Sequence, residues 1–139
     1  MYYLIVFSFI LSLAYTKSAQ QVIRLEPDVN SRLLPIITQC VSETGSDPSI
    51  VLELSSMKIS NEEQFKKFVY CGFTKSDLTT AEGHWKIEKA LQFYPKTVEI
   101  APLQKAMESC NKESGQDPAD TTFKIFKCFI KRTPVLISF

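Results

Sequence analysis

Asp117-Pro118-Ala119-Asp120-Thr121-Thr122-Phe123-Lys124-Ile125-Phe126-Lys127-Cys128-Phe129-Ile130-Lys131 decides the fold of this 139-residue chain. Asp117 is a helix N-cap, able to accept an otherwise orphaned backbone N–H, and Pro118 suits the first helical position. Phe123, Ile125, Phe126, Cys128, Phe129 and Ile130 then leave one narrow charged stripe, Lys124, Lys127 and Lys131. A helix that is apolar nearly all round is a central helix, wrapped by others. Pro134 stops it. The tail that follows, Val135-Leu136-Ile137-Ser138-Phe139, is almost wholly apolar. Leaving such a segment in water costs about 25 cal/mol per Å². The tail is therefore expected to fold back over a groove or across a cavity mouth.

Upstream, the three-four step of apolar residues recurs in five further segments, and no strict alternation lasts long enough for a sheet. An all-α domain of about six helices follows. The first segment spans residues 28–43, with Leu33, Ile36, Ile37, Cys40 and Val41 on one face and Gly45 as a left-handed stop. Pro35 predicts a kink, or a late start near Leu34. The second opens at Asp47-Pro48 and runs through Ile50, Val51 and Leu54. The third opens at Ser60-Asn61-Glu62-Glu63, read as a capping box with Ser60 as the cap, and puts Phe65, Phe68 and Cys71 on one face. A polar connection over residues 72–83 precedes helical character at 82–93, marked by Ile87, Leu91 and Tyr94 and stopped by Pro95. The fifth segment starts near residue 97 or 101 and reaches 112, stepping through Ile100, Leu103, Met107 and Cys110.

The cysteines fall on these segments at Cys40, Cys71, Cys110 and Cys128, with gaps of 30, 38 and 17 residues. Four cysteines allow three pairings, and spacing alone does not select one. Joining chain neighbours, Cys40–Cys71 and Cys110–Cys128, is the favoured choice. Each bond would close a loop worth roughly 3–4 kcal/mol in the chain-entropy model.

The compartment is read from the first residues. The apolar run Leu4-Ile5-Val6-Phe7-Ser8-Phe9-Ile10-Leu11-Ser12-Leu13 is too short to span a bilayer and is followed by small residues. A signal peptide over residues 1–18 is expected, with cleavage between 14 and 19. A single domain over residues 19–139 would remain, secreted into extracellular fluid, where disulfides commonly reinforce small domains. The leader carries Lys17 and no acid, so its removal leaves basic and acidic side chains balanced. That balance argues against nucleic acid and anionic membrane surfaces as partners. No second apolar run approaches spanning length, so no stable membrane insertion is expected.

With these elements in place, the chain resembles the insect odorant-binding proteins. Six-cysteine members of that family have three residues between the second and third cysteines and eight between the fifth and sixth. Here the missing second cysteine falls at Lys67 and the missing fifth at Ala119. Both partners of one bridge are therefore gone, as in the four-cysteine Minus-C subgroup. Phe123-Lys124-Ile125-Phe126-Lys127-Cys128-Phe129 resembles the family's last-cysteine helix. The resemblance covers the whole chain beyond the leader. It implies six helices around an internal apolar cavity that carries small hydrophobic molecules such as odorants, pheromones and fatty-acid derivatives, without catalysis. It also implies a chemosensory receptor or a weak homodimer as the protein partner open to such a chain. The absent bridge would have tied the third segment to the sixth, so a more plastic pocket is expected.

The cavity candidates under this resemblance are Leu33, Ile37, Trp85, Leu91, Tyr94, Leu103, Met107, Phe123, Phe126, Ile130 and Phe139. Tyr94, with Thr122 behind it, is the expected polar handle. The competing class, a secreted helical signalling or interaction factor, would use the same residues as core alone. An apolar cavity on the order of a few hundred Å³ separates the two. An enzyme is disfavoured: there is one histidine, His84, with no nucleophile elbow, no metal-ligating spacing and no calcium loop, and no cofactor is implied. His84 is read as a surface residue packed on Trp85 in preference to a pH switch.

Overall fold

The computed structural model describes residues 19–139, so the leader expected at 1–18 lies outside the described residues. Six helices are flanked by two short strands: β1 (Gln21–Arg24), α1 (Pro27–Thr44), α2 (Ile50–Ser56), α3 (Glu62–Lys75), α4 (Ile87–Leu91), α5 (Ile100–Cys110), α6 (Pro118–Arg132) and β2 (Val135–Ser138). Helix α6 sits at the centre, packed on α3 and α5. Helix α1 packs on α3, and α4 on α5.

Local chemistry explains most boundaries. Asp117 caps α6 by accepting the Asp120 N–H at 2.8 Å, with Pro118 at the first helical position. Helix α1 ends on Gly45 at φ 63°, whose N–H caps the Ser42 carbonyl. Pro35 neither delays nor breaks α1, contrary to the expected late start: the helix begins at Pro27 and runs through it. The carbonyl that Pro35 leaves unpaired belongs to Ser31, which is exposed and open to water. Helix α3 is capped by Asn61, not by Ser60. Asn61 Oδ1 accepts the Gln64 N–H at 3.1 Å. Ser60 turns instead to Glu53, donating to its carboxylate from both backbone and hydroxyl. The Gln64 amide then reaches the Thr44 carbonyl at 2.7 Å and Ser46 Oγ at 2.8 Å, fastening the start of α3 to the end of α1. The supposed connection at residue 72 is also revised, because Gly72 lies inside α3.

Two disulfides staple the helices: Cys40–Cys71 joins α1 to α3, and Cys110–Cys128 joins α5 to α6. No covalent bond ties α3 to α6 among the described residues. Lys67 is exposed on α3, and Ala119 is half-buried in the first turn of α6. This contact is held by aromatic packing. Phe65 is fully buried, with ring centroids 6.1 Å from Phe123 and 5.9 Å from Phe126. Lys127 reaches Glu62 at 2.6 Å on the rim, an exposed pair worth little beside the apolar burial.

The strands are the departure from a purely helical expectation. β1 and β2 pair in parallel, Gln21 opposite Val135 through Arg24 opposite Ser138. The tail therefore does fold back, and its backbone polar groups are met by the segment before α1. Gln20 strengthens the joint, its side-chain amide donating to the Ile130 and Thr133 carbonyls at 2.8 and 3.0 Å and capping the end of α6. Thr133, almost fully buried, accepts the Val135 N–H at 3.1 Å and fixes the turn into β2.

Candidate functional site

A cavity of about 190 Å³ lies between the helices and the tail, partly open to solvent. Every helix contributes. Helix α1 supplies Leu33, Ile36 and Ile37 at the three-four step, and α2 supplies Leu54, with Met57 at its end. Helix α3 supplies Phe68, Val69, Gly72, Phe73 and Ser76 at its cap. Met107 comes from α5, and Phe126, Phe129 and Ile130 from α6. β2 and its end close one side with Val135, Leu136, Ile137 and Phe139, and Leu25 joins them from the other terminus. No charged side chain is in the lining.

The aromatic wall is built by a pinned loop between α3 and α4. Gly83 adopts φ 90°, and a Cβ there would stand 2.1 Å from the Pro118 carbonyl oxygen, so only glycine lets the loop lie against α6. The Gly83 carbonyl accepts from Thr122 Oγ1 at 2.7 Å. Asn111, just after α5, clamps Trp85 twice: its Oδ1 accepts the Trp85 N–H at 2.7 Å and its Nδ2 donates to the Trp85 carbonyl at 3.0 Å. The indole is thereby held between Phe73, with centroids 4.7 Å apart, and Phe129, at 5.3 Å. Trp85 is only 5% exposed, and its Nε1 has no hydrogen-bond partner.

Of the residues anticipated from sequence, Leu33, Ile37, Trp85, Tyr94, Met107, Phe126, Ile130 and Phe139 line the cavity. Leu91, Leu103 and Phe123 do not. Phe123 turns toward α3, packing on Phe65 under the Lys127 ammonium at 4.9 Å. Leu103 is fully buried one turn from Met107, so the α5 face is core at one turn and cavity at the next. Helix α4 is only five residues long, and the chain then tightens through i→i−3 bonds from Phe93 to Ala90 and from Tyr94 to Leu91. Ala90, Phe93 and Tyr94 border the cavity, and Leu91 packs against the core. Thr122 is not a handle, since its hydroxyl is spent on Gly83.

Tyr94 carries the lining's one titratable side chain. Burial pushes its phenol above the ordinary value, so it stays protonated and can donate. His84 lies outside the lining, bonded through Nδ1 to the Asn111 carbonyl at 2.9 Å. The residues that sequence reading missed come mostly from α2, α3, the pinned loop and β2, with Leu25, Ile36, Ala90, Phe93 and Phe129 besides. The apolar periodicity of α3 was visible, but nothing local distinguishes a face turned to a void from one turned to another helix. Among the described residues no helix is long and apolar enough to cross a membrane.

Residues 24–132 match the model of the PBP/GOBP family. No curated protein matches the chain at a significant level. Solved structures with a similar fold include an odorant-binding protein of the medfly, with 24% identity over 74% of this chain and 89% of that one (TM-score 0.58). Odorant-binding protein 1 of Locusta migratoria aligns at 16% identity over 81% and 87% of the two chains (TM-score 0.67). A fatty-acid-binding odorant-binding protein from the oral disk of the blowfly Phormia regina aligns at 22% identity over 79% and 96% (TM-score 0.65). At these identities the likeness is one of fold.

Proposed function

This chain belongs to the PBP/GOBP family, and from that premise we propose that it is a secreted carrier of small hydrophobic molecules of the odorant, pheromone or fatty-acid-like kind. Its two disulfides fit the four-cysteine Minus-C pattern of the insect odorant-binding proteins. The observation that carries the reading is the cavity itself: about 190 Å³, bounded by all six helices and the tail, with an almost wholly apolar wall. Apolar cavities of about 150 Å³ already stay dry and admit a ring the size of benzene. A guest gains by leaving water, and shape with one or two hydrogen bonds sets its orientation.

The same reading takes residues 19–139 as one binding domain behind a cleaved leader, with oxidised cysteines suited to extracellular fluid. It assigns no catalytic step to the chain. A chemosensory receptor, or a second copy in a weak homodimer, is the protein partner it admits. Displacement of N-phenylnaphthylamine by a panel of alcohols, esters and fatty acids tests the proposal. Saturable displacement by part of the panel supports it. Failure of the probe and of every compound to bind would leave the cavity as packing space and favour the signalling alternative.

A further inference from the structure

We propose that the segment from residue 47 to residue 60, with α2 in its middle, is the door of the cavity, swinging from a fixed frame to admit and release the guest. This rests on the carrier reading and adds the route by which the cavity fills.

The wall is thin here. Leu54 and Met57 line the cavity, while Leu52, two residues before Leu54, is 71% exposed. A single helix of seven residues therefore stands between the guest and water. A helix so short has little stability of its own and depends on what it packs against. Among the described residues, α2 forms no extended seam with another helix. The side-chain tie it makes beyond its own turns is that of Glu53, which accepts from the Ser60 N–H at 3.1 Å and from the Ser60 hydroxyl.

The frame is held more firmly. Helices α1 and α3 are joined by Cys40–Cys71, and the Gln64 amide holds Thr44 and Ser46 against the start of α3. Both ends of the 47–60 segment are thus tied to one place. The tail is also better fastened, through its pairing with β1 and the Gln20 amide.

The segment has a root and a hinge. Ile50, 5% exposed, roots the first turn of α2 in the core. At the other end Met57 stands at φ 55° and ψ 26°, a left-handed position that glycine usually fills. Leaving that conformation relieves backbone strain, and the flexible thioether chain can reseat on guests of different shape. The Glu53–Ser60 bonds span Met57, so they latch the hinge shut.

Hydrogen exchange and stopped-flow fluorescence test this on the intact protein. In the free protein, the amides of residues 50–56 should exchange at least about tenfold faster than those of residues 36–41 in α1, and bound N-phenylnaphthylamine should slow them. Glu53→Ala unlatches the door, so association and dissociation of the probe should both quicken by at least about threefold, with Kd little changed. If that variant does not fold, Ser60→Ala, which removes only the hydroxyl arm, gives the same comparison. Exchange in 50–56 as slow as in α1, or protection by the probe in residues 133–139 and not in 50–56, overturns the proposal. So does a variant in which dissociation alone quickens, since lost packing does that without a door. A probe that does not bind at all defeats the carrier reading and the door with it, whereas a failed door leaves saturable binding intact.

Discussion

Gly72 separates what the cavity does for binding from what the core does for stability. It lies inside α3 and lines the cavity, and a Cβ built on it meets no atom within 4 Å. Glycine in a helix interior costs about 0.5–1 kcal/mol relative to alanine, through the extra freedom it loses on folding. Gly72→Ala therefore adds a methyl group without a clash and should stabilise the protein by about that amount, raising Tm by about 2–5 °C. Gly72→Phe places a ring in the space that an occupant would need. Its stability should stay near wild type, while affinity for an apolar probe falls by at least about tenfold, or about 1.4 kcal/mol. Thermal denaturation followed by circular dichroism and a fluorescence titration of the same samples give both numbers. A loss of stability in Gly72→Ala, or undiminished probe binding in a folded Gly72→Phe, would refute the placement of Gly72 on an open wall.

Other expectations follow from the core, the staples and the surface. Leu103→Ala should cost about 2–5 kcal/mol in chemical denaturation, since Leu103 is fully buried, yet a folded variant should bind the probe near normally because the residue lies off the cavity. Replacing both cysteines of one bridge by serine should cost about 3.2 kcal/mol for Cys110–Cys128 and about 3.7 for Cys40–Cys71, from the loops they close; a cost near zero in urea titrations would count against the staple argument. Lys86 and Lys89 both hydrogen-bond Asp77 and hold its carboxyl down at about 2. A depressed folded-state pKa contributes stability above the ordinary carboxylate value and loses it as pH falls toward about 2. Asp77→Asn, which also tolerates the local φ of 54°, should therefore lower Tm at pH 6 and converge with wild type near pH 2. A constant gap across that range would dismiss the ion pair as the cause.

Much of this architecture was readable because it is local. Asp117-Pro118, the Gly45 stop and the three-four stripes of α1, α5 and α6 are set by neighbours within one or two turns. The parallel pairing of β1 with β2 was not legible: it joins residues more than a hundred positions apart, and Gln21–Arg24 carries no alternation to announce it. The α3 cap moved from Ser60 to Asn61 because Glu53, on another element, competes for the Ser60 hydroxyl. At the site, the aromatic and aliphatic residues could be named, but their division between core and cavity could not. Phe123 and Phe126 sit three residues apart on α6 with nearly parallel rings, and both pack on Phe65 of α3, yet only Phe126 also borders the void. The placement of Trp85 was invisible for the same reason, since its indole is held by Asn111, Phe73 and Phe129 arriving from three different parts of the chain.

The most direct measurement is a titration of the intrinsic fluorescence of Trp85, the single tryptophan and part of the cavity wall, with an uncharged apolar ligand such as methyl octanoate. Occupancy of the cavity should change the emission saturably, with one ligand per chain, and Gly72→Phe should suppress the change. An emission that drifts linearly without saturating, or that responds equally in a folded Gly72→Phe protein, would contradict a carrier that holds its ligand in this cavity.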